Sequence, residues 1–164
     1  MSTQIELLPK GALSEISGTL GSGKTELFLK YLAKQPPSNR IGWIEEQLTI
    51  YPCSFLQFGI DLEQVLFAEA AENSLWTATQ MLRSRLFKTV AIISKKLDSV
   101  SLRRLQLDAE KSGTSVVLLQ NTPTLEGAWP IACQIHIQRR QVTVLKNKNK
   151  IASTEKLLRM GVQF

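Results

Sequence analysis

Eight consecutive residues, Gly18-Thr19-Leu20-Gly21-Ser22-Gly23-Lys24-Thr25, match the pattern G-x-x-x-x-G-K-[ST] in full. The chemistry of that pattern is phosphate binding. Its glycines let backbone N–H groups converge on phosphate oxygens. A helix beginning at the lysine adds its positive N-terminal end. Lys24 would reach the β- and γ-phosphates, and the Thr25 hydroxyl would hold Mg²⁺ on the nucleotide. ATP or ADP with Mg²⁺ is therefore the expected ligand, cradled by residues 18–25.

Binding a nucleotide is not splitting it. Hydrolysis needs a carboxylate at the end of a neighbouring strand to hold Mg²⁺, and a second group to orient the attacking water. The strand Val90-Ala91-Ile92-Ile93 runs into Ser94-Lys95-Lys96 and offers no acid, while Asp98 follows four residues on. The strand ending Trp43-Ile44 runs into Glu45-Glu46-Gln47. Glu45 is expected to face the phosphates and Glu46 to be solvated, so Glu45, Glu46 and Gln47 are the weak catalytic candidates.

The elements around the loop follow from the pattern. Ala12 to Ser17 reads as a short strand leading into the glycines, and Lys24 to Leu32 carries apolar residues at helical spacing. Pro36, Pro37 and Asn39 stop that helix. Ile41 to Ile44 and Thr89 to Ile93 are continuous apolar runs of strand length, as is Ser115 to Leu119, and Val65 to Phe67 is a shorter one. Helices are expected over 74–86 and over 101–111, the second with Ser101 as N-cap and Ser112-Gly113 as its end. Gln134 to Gln138 and Gln141 to Leu145 alternate instead, with Arg139-Arg140 between them, which reads as a hairpin. Strands alternating with helices predict an α/β fold: a mostly parallel sheet, helices on both faces and antiparallel C-terminal edge strands.

The chain has 164 residues, 43% of them apolar, and a formal charge of +6. That suits one nucleotide-binding core over 1–150 with a tail over 151–164, which could form a short amphipathic helix with Ser153 or Thr154 as N-cap. Two cysteines, Cys53 and Cys133, and one histidine, His136, exclude a zinc ribbon or disulfide scaffold and make a nucleophilic triad improbable. Both thiols read as buried apolar residues. Trp76 and Trp129 read as core, since no basic-aromatic stripe surrounds them. No run of 18 apolar residues occurs, so a cytoplasmic protein without a membrane span is expected.

With these residues in view, the chain resembles the RecA recombinase family from residue 8 to about 150. Leu8-Pro9-Lys10-Gly11 running through Ser14-Glu15-Ile16-Ser17 into the phosphate loop is similar to the start of the RecA ATPase core. Trp43-Ile44-Glu45, Gly59-Ile60-Asp61, the stretch from Ser101 to Leu119, and Val142 to Lys148 with its Lys-Asn-Lys ending follow in the family's order. The resemblance implies a RecA-like P-loop core. It also implies nucleotide contacts at Tyr51 and Asn121, the latter at the family's γ-phosphate-sensing glutamine. Lys146 and Lys148 match lysines that reach a neighbour's phosphates, and Lys150 stands beside them. A solvated basic turn is the alternative for all three.

The departures from that pattern point away from hydrolysis. The family's catalytic glutamate falls at Gln47 and its acidic Walker B residue at Ser94. The two loops that hold DNA are nearly absent, as are the N-terminal polymerisation segment and the C-terminal domain. Such shortened cores resemble accessory proteins of error-prone translesion synthesis. The resemblance therefore implies a nucleotide-binding accessory protein in DNA repair or SOS mutagenesis, with weak or absent hydrolysis, acting through RecA or a translesion polymerase subunit. DNA binding is expected to be weak or indirect and salt-sensitive; self-association stays open. An active DNA-dependent ATPase of the RecA class and a non-hydrolysing module such as a SulA-type division inhibitor are the alternatives.

Overall fold

The computed structural model describes residues 8–124, 129–139 and 141–148. The expectations for the tail over 151–164 and for Lys150 lie outside the described residues. Eleven main elements follow in order: β1 Leu13–Gly18, α1 Lys24–Ala33, β2 Ile41–Glu45, α2 Cys53–Gln57, β3 Val65–Glu69, α3 Ser74–Ser84, β4 Thr89–Ile93, α4 Ser99–Ser112, β5 Ser115–Gln120, then the hairpin β6 Ile131–Gln138 and β7 Gln141–Asn147. One seven-stranded sheet takes the order β3-β2-β4-β5-β1-β6-β7. Its first six strands are parallel, and β7 returns antiparallel along β6.

The strands β1, β2 and β5 are buried at every position, which is why their sequences lack alternation. Helices cover both faces. On one face α1 presents Leu27, Phe28, Tyr31 and Leu32, and α2 adds Phe55. Trp43 of β2 stacks on Phe28 at 6.1 Å and meets Phe55 edge-on at 5.2 Å. These aromatics pack together on one face of β2 and anchor that half of the core. On the other face α3 contributes Ala78, Met81 and Leu82, and α4 contributes Leu102, Leu105 and Ala109, at helical spacing. Among the described residues no helix is long and apolar enough to cross a membrane.

Four expectations are corrected. The helix expected from Ser101 begins at Ser99, and its cap is Asp98, whose extended backbone lets Oδ1 accept the Ser101 N–H at 2.8 Å. Trp76 and Trp129 are 65% and 61% exposed rather than core. Trp76 lies off the stripe formed by Ala78, Met81 and Leu82. Cys53 is exposed, because it opens α2, a short helix in which only Phe55 is buried. Cys133 is buried as expected.

The connections define where the sheet opens. From β1 the chain crosses through α1 toward β2, over one face. From β5 the chain continues in the opposite sense, to β6 on the far side of β1. Adjacent strands whose C-terminal connections diverge leave a crevice between them, the usual ligand position in open α/β sheets. Here the crevice lies beyond Gly18 and Gln120, with the phosphate loop on one side and Asn121 on the other.

Candidate functional site

The loop is built by the backbone. Gly18 closes β1 in full burial, and a Cβ there would run into Ser22 Oγ and lie 2.7 Å from the Ile137 carbonyl oxygen. Only glycine fits. The Ser22 N–H donates to the Thr19 carbonyl at 3.0 Å and tightens the turn. Gly23 then takes φ 95° at the cap of α1, and no side chain caps that helix. The first-turn N–H groups therefore face the crevice with the helix's positive end behind them. Ser22 Oγ is buried without a partner. A left-handed glycine cap, an uncapped helix start and an unpartnered buried hydroxyl make a cradle that fits a phosphate chain.

Lys24 completes the cradle. Its Nζ donates to the Gly18 carbonyl at 2.8 Å and to Asn121 Oδ1 at 3.0 Å, and burial lowers its pKa. Thr25 follows on the same turn and is half-buried. Thr19 and Gly21 are exposed, and Leu20 at the loop tip is 94% exposed. Thus residues 18–25 and Asn121 are brought together.

The carboxylate candidates are elsewhere engaged. Glu45 is buried on the α1 face of β2. Its Oε1 accepts from Trp43 Nε1 at 2.7 Å and from the Ile50 N–H at 3.3 Å. Its Oε2 accepts from the Thr49 N–H and the Thr49 hydroxyl, both at 2.7 Å. A carboxylate has about four lone-pair directions, so these four donors fill them. Glu45 pins the turn after β2. Glu46 is half-exposed and faces Lys95, whose Nζ lies 3.9 Å away. Gln47 is exposed, and Ser94 donates to the Lys95 carbonyl at 3.0 Å.

Three further candidates lie apart. Tyr51 is 68% exposed, and its hydroxyl pKa is raised chiefly by its hydrogen bond with Cys53. Lys146 pairs with Gln134 across the hairpin, whereas Gly18 pairs with Ile137. Two strands out and three residues down is roughly 14 Å, so the Lys146 backbone stands well apart from Gly18. Burial lowers the Lys146 pKa, and Lys148 adds to the shift. Lys148 follows β7 and donates its backbone N–H to the Ala132 carbonyl at 2.9 Å.

One polar cluster has no counterpart in the sequence reading. Glu15 sits in the middle of β1 with no exposure. It accepts from the Thr124 N–H at 3.1 Å, from the Thr124 hydroxyl, and from Gln134 Nε2 at 3.2 Å. Two register positions nearer the loop, Ser17 Oγ and His136 Nδ1 are 2.9 Å apart. The only local signal is an acid inside an otherwise uncharged buried strand. Its partners come from beyond residue 120 and leave no spacing to read. Glu15 fastens the chain leaving Asn121 to the sheet beneath it, and so positions the edge of the crevice.

No family model matches the chain, and no curated protein matches it.

Proposed function

We propose that the chain binds ATP or ADP with Mg²⁺ at residues 18–25 and serves as a RecA-like accessory protein in DNA repair or SOS mutagenesis. The observation that carries this reading is the paired state of the site. Lys24 and the uncapped start of α1 converge on one crevice, while Glu45, the best-placed acid, has every acceptor direction filled from within its own turn.

The parts divide the work. The backbone N–H groups of 23–25 and Lys24 would bind the phosphate chain, and Thr25 would hold a cation on it. Bound Mg²⁺ would supply charge neutralisation for the phosphate chain. Asn121 holds Lys24 at the edge of the crevice. At the ends of β2 and β4 the acids are engaged: Glu45 by four donors, and Glu46 by the Lys95 N–H at 3.5 Å and the ammonium beside it. Retention of a triphosphate with little turnover is the expected result. Such a protein reports nucleotide state through contact with RecA or a translesion polymerase rather than through cycling.

The test is fluorescence anisotropy of the labelled chain titrated with a RecA filament on single-stranded DNA, or with a Y-family polymerase, with and without ATP. A complex that forms only with ATP and is lost in Lys24→Ala supports the reading. No complex with either partner, or one indifferent to nucleotide, contradicts it.

A further inference from the structure

The positive charge of the chain is concentrated in one helical layer. Residues 74–112, which span α3, β4 and α4, hold eight Lys and Arg against three acids, while the other 125 residues hold twelve against eleven. All eight of those cations are exposed. Glu72, exposed just ahead of α3, takes one unit from the excess. The two helices lie side by side, α3 on β2 and β4 and α4 on β5 and β1.

Helical spacing lines up the outward positions of each helix. On α3, the buried Ala78, Met81 and Leu82 leave Trp76, Gln80 and Arg83 turned away from the sheet. On α4, the buried Leu102, Leu105 and Ala109 leave Val100, Arg104, Leu107 and Lys111. All seven outward residues are exposed, and neither line carries an acid. The three acids of the segment are otherwise placed. Asp98 accepts the Ser101 N–H, Glu110 accepts from the Gln106 amide, and Asp108 is half-buried.

The apolar members of these lines stand among the cations. Val100 is 74% exposed, close to Trp76 in degree. Arg104 comes between Val100 and Leu107, and Lys111 follows Leu107 one turn on. Protein partners are usually met by a contiguous dry cluster, whereas these side chains are separated by charge. The backbone of a nucleic acid duplex would take the cations but give Trp76 and Val100 nothing apolar to enter. A lipid surface suits both kinds of residue. Tryptophan and aliphatic side chains settle among the headgroups, and Arg and Lys reach anionic phosphates at the same depth.

We propose that the outer face of α3 and α4 docks on an anionic lipid surface. Trp76, Val100 and Leu107 enter the headgroup layer, and Arg83, Arg104 and Lys111 pair with its phosphates. The protein then lies on the surface without crossing it. Because α1 covers the opposite face of the sheet, the docked protein keeps the crevice open. The proposal goes beyond the nucleotide reading and uses none of residues 18–25.

The experiment sediments the full chain with sucrose-loaded vesicles of two parts phosphatidylcholine to one part phosphatidylglycerol, and with vesicles of phosphatidylcholine alone. The mixed vesicles should bind the chain, and the neutral ones about tenfold more weakly or worse. Arg83→Gln and Arg104→Gln should each weaken binding to the mixed vesicles by about fivefold. Trp76→Ser and Val100→Ser should each weaken it by about fivefold or more with every charge intact. All four side chains are exposed, so circular dichroism should show the fold unchanged.

Four results would overturn the proposal. One is the absence of binding to the mixed vesicles at low salt. Another is full binding by a Trp76→Ser, Val100→Ser double variant, which would reduce the face to a charge contact. A third is full binding by an Arg83→Gln, Arg104→Gln double variant, which would place the lipid elsewhere. The fourth is release from the vesicles by duplex DNA or by polyglutamate at a lower charge concentration than the lipid's, which would assign the face to nucleic acid or to an acidic protein.

Discussion

Lys24 Nζ and Asn121 Oδ1 lie 3.0 Å apart, joining the start of α1 to the end of β5 across the crevice. The ammonium is thereby held by two neutral oxygens, the Asn121 amide and the Gly18 carbonyl. Neutral acceptors hold a cation less strongly than a phosphate would, so both contacts are exchangeable.

Replacing Asn121 by Asp tests that relationship. A carboxylate at this position would pair with Lys24 and repel the incoming phosphates. Asn121→Asp should weaken ATP binding by about tenfold or more, on the scale of one charged contact. Asn121→Ala should leave affinity within about threefold of the parent, because the Gly18 carbonyl still holds Lys24. Titration with a fluorescent ATP analogue reads both. Equal affinity in Asn121→Asp and the parent would show that the contact lies outside the binding site.

Gly18→Ala should destabilise the protein by about 1–3 kcal/mol, the usual penalty for overpacking a full site. Adding Ser22→Gly should restore only part of the loss. It removes one obstruction but leaves the Ile137 carbonyl 2.7 Å from the new Cβ. Urea midpoints of the single and double variants decide this. Full recovery in the double variant would mean that the backbone can give way.

Glu45→Gln separates a structural acid from a catalytic one. An amide offers one acceptor oxygen and turns its NH₂ toward donors, so at least one of the Thr49 and Trp43 contacts is lost. The expected loss is about 2 kcal/mol of stability, from a buried donor left unpaired. ATP affinity should be unchanged. A variant that keeps its stability but loses nucleotide turnover would place Glu45 in the chemistry instead.

The two thiols should behave oppositely. Cys53 is exposed and should react at once with a chromogenic disulfide reagent, whereas buried Cys133 should react only on unfolding. Burial pushes the Cys133 thiol from an ordinary 9.0 up to about 12. Between those values the native state keeps a proton that the unfolded chain has lost. Stability therefore falls as pH rises through that window, by up to about 1.4 kcal/mol per pH unit. The urea midpoint should drop from about pH 8.5 to about pH 10, and Cys133→Ala should drop less over the same range. Identical slopes would assign the alkaline loss to other groups.

Much of the architecture was legible because it is local. The glycine pattern, the helix after it and the uniformly apolar strands each declare themselves within about ten residues, and their alternation implies a parallel sheet. The edges of elements were less legible where two residue types compete. Asp98 and Ser101 are both good caps, and the carboxylate won because it reaches the Ser101 N–H from an extended backbone. Trp76 and Trp129 misled because the lack of a basic-aromatic stripe around them in sequence suggests a core position, while the stripe on α3 and the pairing of Trp129 with Arg103 leave them exposed. Glu45 and Glu15 were hidden for a different reason. Glu45 is satisfied by a turn whose shape no spacing announces, and Glu15 by donors more than 100 residues away.

The most direct measurement is paired binding and turnover on the full chain with Mg²⁺-ATP, with and without single-stranded DNA. The account predicts saturable binding that Lys24→Ala abolishes, and phosphate release indistinguishable from a protein-free control in both conditions. Turnover that rises with single-stranded DNA and disappears in Lys24→Ala would contradict it, as would a failure to bind nucleotide at millimolar concentration.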